Sequence, residues 1–169
     1  MQTNAVPHYD DADNPTGCCP RFDPTGWDGR DLHFRDKPFL RATTRSLAYF
    51  PLNMGRVFSR VQGRIERAGA YDPDDFLVLS RDLSPWRAEH LFSATAPVKG
   101  EDAVTLSGDF VTKVFEGPYR RIREWHGQMR ALARARGGTG DEVYFFYTTC
   151  PRCAKVYGKN YVVGVARTG

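Results

Sequence analysis

Two spacings of apolar residues alternate along this chain, and the alternation predicts its elements. Met54, Val57, Phe58, Val61 and Ile65 recur at helical spacing, which gathers them on one face of a helix. Asn53 is its expected N-cap and Gly69 its stop. Residues 43–50 before it are β-prone and partly alternating, and residues 76–79 (Phe-Leu-Val-Leu) form a short apolar run suited to a buried strand. After the interruption at Ser84-Pro85-Trp86, residues 88–96 read as a third strand. The same order then returns. Residues 109–115 form a strand, Glu116-Gly117-Pro118-Tyr119 a turn, and Tyr119, Ile122, Trp125, Met129 with Leu132 or Ala133 the buried face of a second helix. Gly137-Gly138 ends that helix, and strands follow at 143–147 and 160–166.

The two halves align at one constant offset. Met54, Val57, Val61 and Ile65 fall on Ile122, Trp125, Met129 and Ala133, and Gly69 falls on Gly137. The pattern predicts an α+β fold in which a β-α-β-β unit is duplicated, at about 41–97 and 103–167. An antiparallel sheet would carry two helices on one face and a cleft near the axis between the copies. Residues 1–40 would form an N-terminal arm and extended segment, and 41–169 the main domain. Within the arm, residues 32–40 read as a short hairpin or irregular strand, with Pro38 favouring an edge position.

Composition narrows the class. Hydrophobic residues make up 41% and aromatics 13%, enough for a sizeable core. No run approaches the roughly 18 apolar residues that span a bilayer, and the first residues resemble no secretory signal. Cytoplasmic placement is therefore expected, with no membrane partner and thiols kept reduced. The net charge is +4, much of it arginine on the second helix. Those arginines are spread around the helix without a nucleic-acid motif, so they read as a solvated face and no nucleic-acid partner is expected.

The stretch Val114-Phe115-Glu116-Gly117-Pro118-Tyr119, leading into an amphipathic helix with Trp125, resembles a signature of gyrase-inhibitor-like effector-binding domains of the SOUL-type fold. Together with the duplication, the resemblance spans roughly residues 41–167. It implies a cleft between two helices that takes a small molecule, aromatic or cationic, and hydrolysis is one activity it implies. The chain departs from that family in lacking a helix-turn-helix. It also carries Asn160-Tyr161 about where many relatives place a glutamate.

Within such a cleft, Glu89 and Tyr119 are candidate acid-base groups and Cys150 a candidate nucleophile. Tyr49, Trp86, Glu116, Tyr147 and Tyr161 are candidate ligand contacts; Trp86 with a carboxylate would suit a cation. For each, packing or solvation is the competing reading. The four histidines show no metal-ligand spacing, and no nucleophile elbow or phosphate loop is present.

Cys150-Pro151-Arg152-Cys153 at the end of an aromatic strand looks like a thioredoxin motif, but the short remainder does not hold that fold. It also looks like a zinc knuckle, and structural zinc wants four ligands. The remaining cysteines are the adjacent Cys18 and Cys19, which could share one metal only across a tight bend. Zinc binding, thiol chemistry and plain structural cysteines all stay open. The leading reading is a stand-alone small-molecule-binding protein, with hydrolysis in the cleft as its activity if it is an enzyme; no cofactor is required and zinc is possible. The alternative is a protein centred on Cys18, Cys19, Cys150 and Cys153. Oligomeric state is not legible.

Overall fold

A computed structural model describes residues 2–169. The elements run β1 (Asp31–Leu47), β2 (Phe50–Pro51), α1 (Met54–Arg67), β3 (Val78–Ser84), β4 (Arg87–Ser93), β5 (Asp102–Glu116), a 3-10 turn (Tyr119–Arg121), α2 (Ile122–Ala135), β6 (Val143–Tyr147), α3 (Pro151–Tyr157) and β7 (Tyr161–Arg167). The class is α+β and the sheet pairings between named strands are antiparallel. Among the described residues, no helix is long and apolar enough to cross a membrane.

The sheet closes on itself. Six strands follow the order β1-β4-β3-β6-β7-β5, and β5 pairs back to β1. The length of β1 makes this possible. Its first part pairs with β5, from Asp31↔Val111 to Arg41↔Asp102, and its second with β4, from Phe39↔Ser93 to Arg45↔Arg87. The expected arm boundary near residue 40 therefore falls inside one continuous strand. Residues 32–40 form no separate hairpin, because β5 supplies a partner on both sides of a bulge at Arg35-Asp36. Pro38 sits where β1 is paired only with β5, one residue before β4 joins, so its missing N–H costs no ladder bond on the open side.

Closure gives the sheet an inside and an outside. Neighbouring residues of a strand point to opposite faces, and β6 shows the division. Phe145 packs outward with Trp125, Met129 and Ala133 of α2, alongside Val111, Phe115, Val143, Val162 and Ala166. Phe146 joins the other cluster, with Phe34, Phe110, Tyr144, Val163 and Val165. Gly164 of β7 lies under α2, and a Cβ there would stand 2.6 Å from the Met129 side chain. We expect Gly164→Val to push the helix outward and cost about 1–3 kcal/mol in denaturant unfolding.

The arm caps the inner face. Tyr9, Phe22 and Trp27 are buried; Tyr9 lies 4.5 Å from Phe76 between ring centroids, and Phe22 and Trp27 lie 6.1 and 5.5 Å from Phe146. Its backbone adds to β5, with Thr112 N–H donating to the Arg30 carbonyl at 2.9 Å and Gly29 N–H to the Thr112 carbonyl at 3.1 Å.

On the outer face α1 lays Phe58 against His90 and Phe92 of β4. Asn53 does not cap α1 with its side chain; its Oδ1 instead accepts from Arg45 N–H at 2.8 Å. Beneath Phe58, His90 is held between Ser80 (2.7 Å to Nδ1) and Thr44 (2.8 Å to Nε2). Burial pushes its pKa down to about 4 from 6.5, so the folded protein keeps it neutral while an unfolded chain protonates it. Stability is then greatest above pH 6.5 and falls as the pH drops toward 4, by roughly 3 kcal/mol. Denaturant midpoints across that range should show the slope in wild type, and His90→Gln should lose this part of it.

Candidate functional site

Two places gather chemistry-bearing side chains. The first joins the arm to α3. Pro151 fits the first turn of α3, where a missing N–H costs nothing. Cys150 is its N-cap, its Sγ accepting from Cys153 N–H at 3.5 Å, and Gly158 takes the left-handed conformation (φ 71°) that ends it. This turn sets Cys150 and Cys153 side by side. Opposite them the arm bends at Gly17 (φ 69°), and Thr16 Oγ1 accepts from Cys18 N–H at 3.3 Å. The bend overcomes the opposed directions of adjacent side chains: Cys18 and Cys19 Sγ lie 3.7 Å apart. All four sulfurs lie within 4.8 Å of one another, and none is in a disulfide.

Polar groups surround these sulfurs. Cys150 N–H donates to Cys19 Sγ at 3.4 Å, and Thr16 Oγ1 lies 3.3 Å from Cys153 Sγ and 3.1 Å from the Tyr157 hydroxyl. The Tyr157 hydroxyl donates to the Cys19 carbonyl, and Arg21 stands 5.0 Å over the Tyr157 ring. Burial pushes the Cys153 thiol up, but hydrogen bonds from Thr16, Cys150 and Cys19 outweigh it and bring the pKa to about 7. Burial raises Cys18 and Cys19. Raised in this way, Cys18 and Cys19 favour the neutral thiol; all four could ionise together only beside a cation.

The second place is the outer face of β4, β3 and β6, beside α2. The register Ala42↔His90, His90↔Ser80 and Ser80↔Phe145 puts these residues on one face. Asp82 follows Ser80 on that face, and His126 of α2 lies beside Phe145 at 6.2 Å between ring centroids. Partial burial raises the Asp82 carboxyl and lowers the His126 imidazole, while each charge favours the other. Tyr147 adds a phenol to this face. Burial, and then the charge of Asp82, raise its pKa, so it stays a protonated donor.

The expected site residues are distributed unevenly. Tyr119 and Tyr147 come together, 6.0 Å between ring centroids. The Tyr119 hydroxyl is committed to the Thr149 carbonyl, and burial, outweighing that bond, raises its pKa to about 12. Glu89 lies on the opposite face from His90, paired with Arg81 at 3.5 Å. Arg81 in turn covers the Tyr144 ring, so Glu89 points into the sheet's interior, away from Asp82 and His126. Cys150 belongs to the cysteine cluster. Tyr161 faces the arm, 6.1 Å from Phe22, and Glu116 is exposed at the end of β5. Tyr49 and Trp86 are exposed at one end of the sheet, where Tyr49 N–H donates to the Pro85 carbonyl at 2.9 Å. Asp82 and His126 were not among the expected residues. The alternation Val78, Ser80, Asp82 signals that Asp82 shares the helix-facing side, but no sequence spacing links it to His126.

A depression of about 480 Å³ beside Phe39, Ala94, Pro97 and Val104 holds no titratable side chain, so it offers binding space without acid-base chemistry. A family model described as a bacterial hydrolase matches residues 9–168. The chain belongs to that family. No curated protein matches it. Membership in the hydrolase-named family covers the arm as well as the closed sheet, in keeping with the arm's place in the core. The match does not itself carry the gyrase-inhibitor-like resemblance.

Proposed function

We propose that this bacterial hydrolase family member hydrolyses a small molecule bound in the groove between α1 and α2. The observation that carries the reading is the placement of Asp82 and His126 on the side of the sheet that carries Phe145, without an ion pair between them but near enough for each charge to favour the other. Such a pair is suited to acid-base work near neutral pH. Neutral His126 takes a proton from the attacking water. Ionised Asp82 stabilises the imidazolium that forms, and the Tyr147 hydroxyl donates to the oxygen that gains charge. His126 then returns the proton to the leaving group. The resemblance to gyrase-inhibitor-like domains supports the same place for the ligand, as does reading the two β-α-β-β halves as copies about an axis through β3 and β6. Exposed Tyr49 and Trp86 suit an aromatic or cationic substrate at the rim. The protein would act as a stand-alone cytoplasmic enzyme, with neither nucleic acid nor membrane as partner.

In the alternative, cysteine-centred reading, the four thiols are the working centre. Their closeness favours a centre of some kind. Four thiolates around one metal, however, leave no open position for water, so this centre suits structure better than turnover. The purified protein, with Asp82→Asn and His126→Gln beside it, should be tested on p-nitrophenyl esters, p-nitrophenyl phosphate and anilides. Hydrolysis of one class that both variants lose supports the groove. Turnover that survives both, or that follows Cys150→Ser instead, moves the chemistry elsewhere.

A further inference from the structure

We propose that Cys18, Cys19, Cys150 and Cys153 bind one zinc ion as four thiolates, and that this ion clamps the N-terminal arm to α3. The proposal rests on reading the four cysteines as a closed structural centre and does not depend on turnover in the groove. Bonds of about 2.3 Å in a tetrahedron set neighbouring sulfurs about 3.8 Å apart. Cys18 and Cys19 already stand at 3.7 Å, and the set spans no more than 4.8 Å. Sulfurs at such separations are too far apart for a disulfide, whose bond is about 2.05 Å, and close to the spacing that one tetrahedral ion at their centre would set.

The surroundings fit the same ion. Thr16 Oγ1 and the N–H groups of Cys150 and Cys153 point at sulfurs, the outer-shell contacts that hold metal-bound thiolates in place. Soft sulfur donors in a tetrahedron select zinc or iron, and zinc brings no redox chemistry to a centre that the acid-base groove does not need. On binding, four Zn–S bonds form and the protons held by the free thiols pass to solvent, so affinity should rise with pH.

The clamp has a structural consequence. Cys19 and Cys150 lie far apart in sequence, and tying them together closes a long loop, which removes much of the unfolded chain's freedom. Phe22 and Trp27, which cap the inner face, follow directly after Cys19. The ion would therefore fix the segment that completes the core.

The full chain, purified without a histidine tag, should be analysed for metals by mass spectrometry. One zinc per chain is expected, released when a mercurial blocks the thiols. Replacement by cobalt should give the absorption of tetrahedral thiolate-bound cobalt, which needs no variant to fold. Cys19→Ser and Cys153→Ser should lower zinc occupancy and speed proteolytic cleavage of the arm. Iron in place of zinc would overturn the assignment of the ion. Substoichiometric metal of any kind, with all four thiols reacting in the native protein, would overturn the site. Failure of the zinc result leaves hydrolysis in the groove standing, and the reverse also holds.

Discussion

Trp27→Ala should destabilise the protein by about 3–5 kcal/mol, the cost of emptying a buried aromatic site. Trp27 is fully buried although it lies outside every named helix and strand. Its ring packs between Phe22 and Phe146, and its carbonyl accepts from the Thr112 hydroxyl. Two residues beyond it the chain joins the edge of β5. Truncation would thus leave a cavity on the inner face and loosen the segment leading back to Cys19. Among the described residues the indole Nε1 has no hydrogen-bond partner, so Trp27→Phe should cost only a fraction as much. Denaturant unfolding of both variants, with proteolysis of the arm, measures the effect. An unchanged midpoint for Trp27→Ala would mean that the arm adds nothing to the core.

The second large effect is catalytic. Removing a positioned acid-base group typically costs about 10²–10⁴-fold in rate, and we expect Asp82→Asn and His126→Gln to lower kcat/KM on that scale. The pH dependence makes the roles separable. His126 must be neutral to act as base, so activity should rise with pH through its pKa, which burial and then Arg130 hold below 6.5. Asp82 opposes that shift by favouring the imidazolium. Replacing Asp82 with Asn removes this support and should move the acid limb to still lower pH while lowering the plateau. A purely structural role for Asp82 would change neither limb position nor plateau in a folded variant.

Much of the fold was legible because it rests on local periodicity. Val57, Val61 and Ile65 mark the buried face of α1, and Trp125, Met129 and Ala133 that of α2, as their spacing implies. The aromatic run from 143 to 147 is β6 as expected. Closure of the sheet was not legible, since it depends on β1 finding β5 as a second partner, and such a pairing leaves no periodic trace. Asn53 shows how tertiary demand overrides a local signal: its side-chain Oδ1 serves β1 rather than capping the helix it precedes. Helix α3 was not expected: Pro151 opens it and Gly158 ends it, but the residues between were read only as a Cys-x-x-Cys motif.

The candidate site was legible in proportion to how local its chemistry is. Cys150 and Cys153 were visible as a pair, and Cys18 and Cys19 as their only possible companions. The bend at Gly17 that turns both adjacent sulfurs one way could not be read from residue types alone. Glu89 was placed in the cleft on the strength of its neighbour Trp86, yet strand parity with His90 sends it inward to Arg81. The same parity, counted from Val78, would have selected Asp82. His126 joins it only through the approach of α2 to β6, a contact between distant segments.

Whether Asp82 and His126 form the working pair of a hydrolase is measured by pH–rate profiles of wild type, Asp82→Asn and His126→Gln on whichever of the p-nitrophenyl substrates the protein turns over. Both variants should lose about 10²–10⁴-fold, with the acid limb of Asp82→Asn displaced to lower pH. Profiles of the folded variants that overlay wild type, or a wild-type protein that hydrolyses none of these substrate classes, would contradict that role.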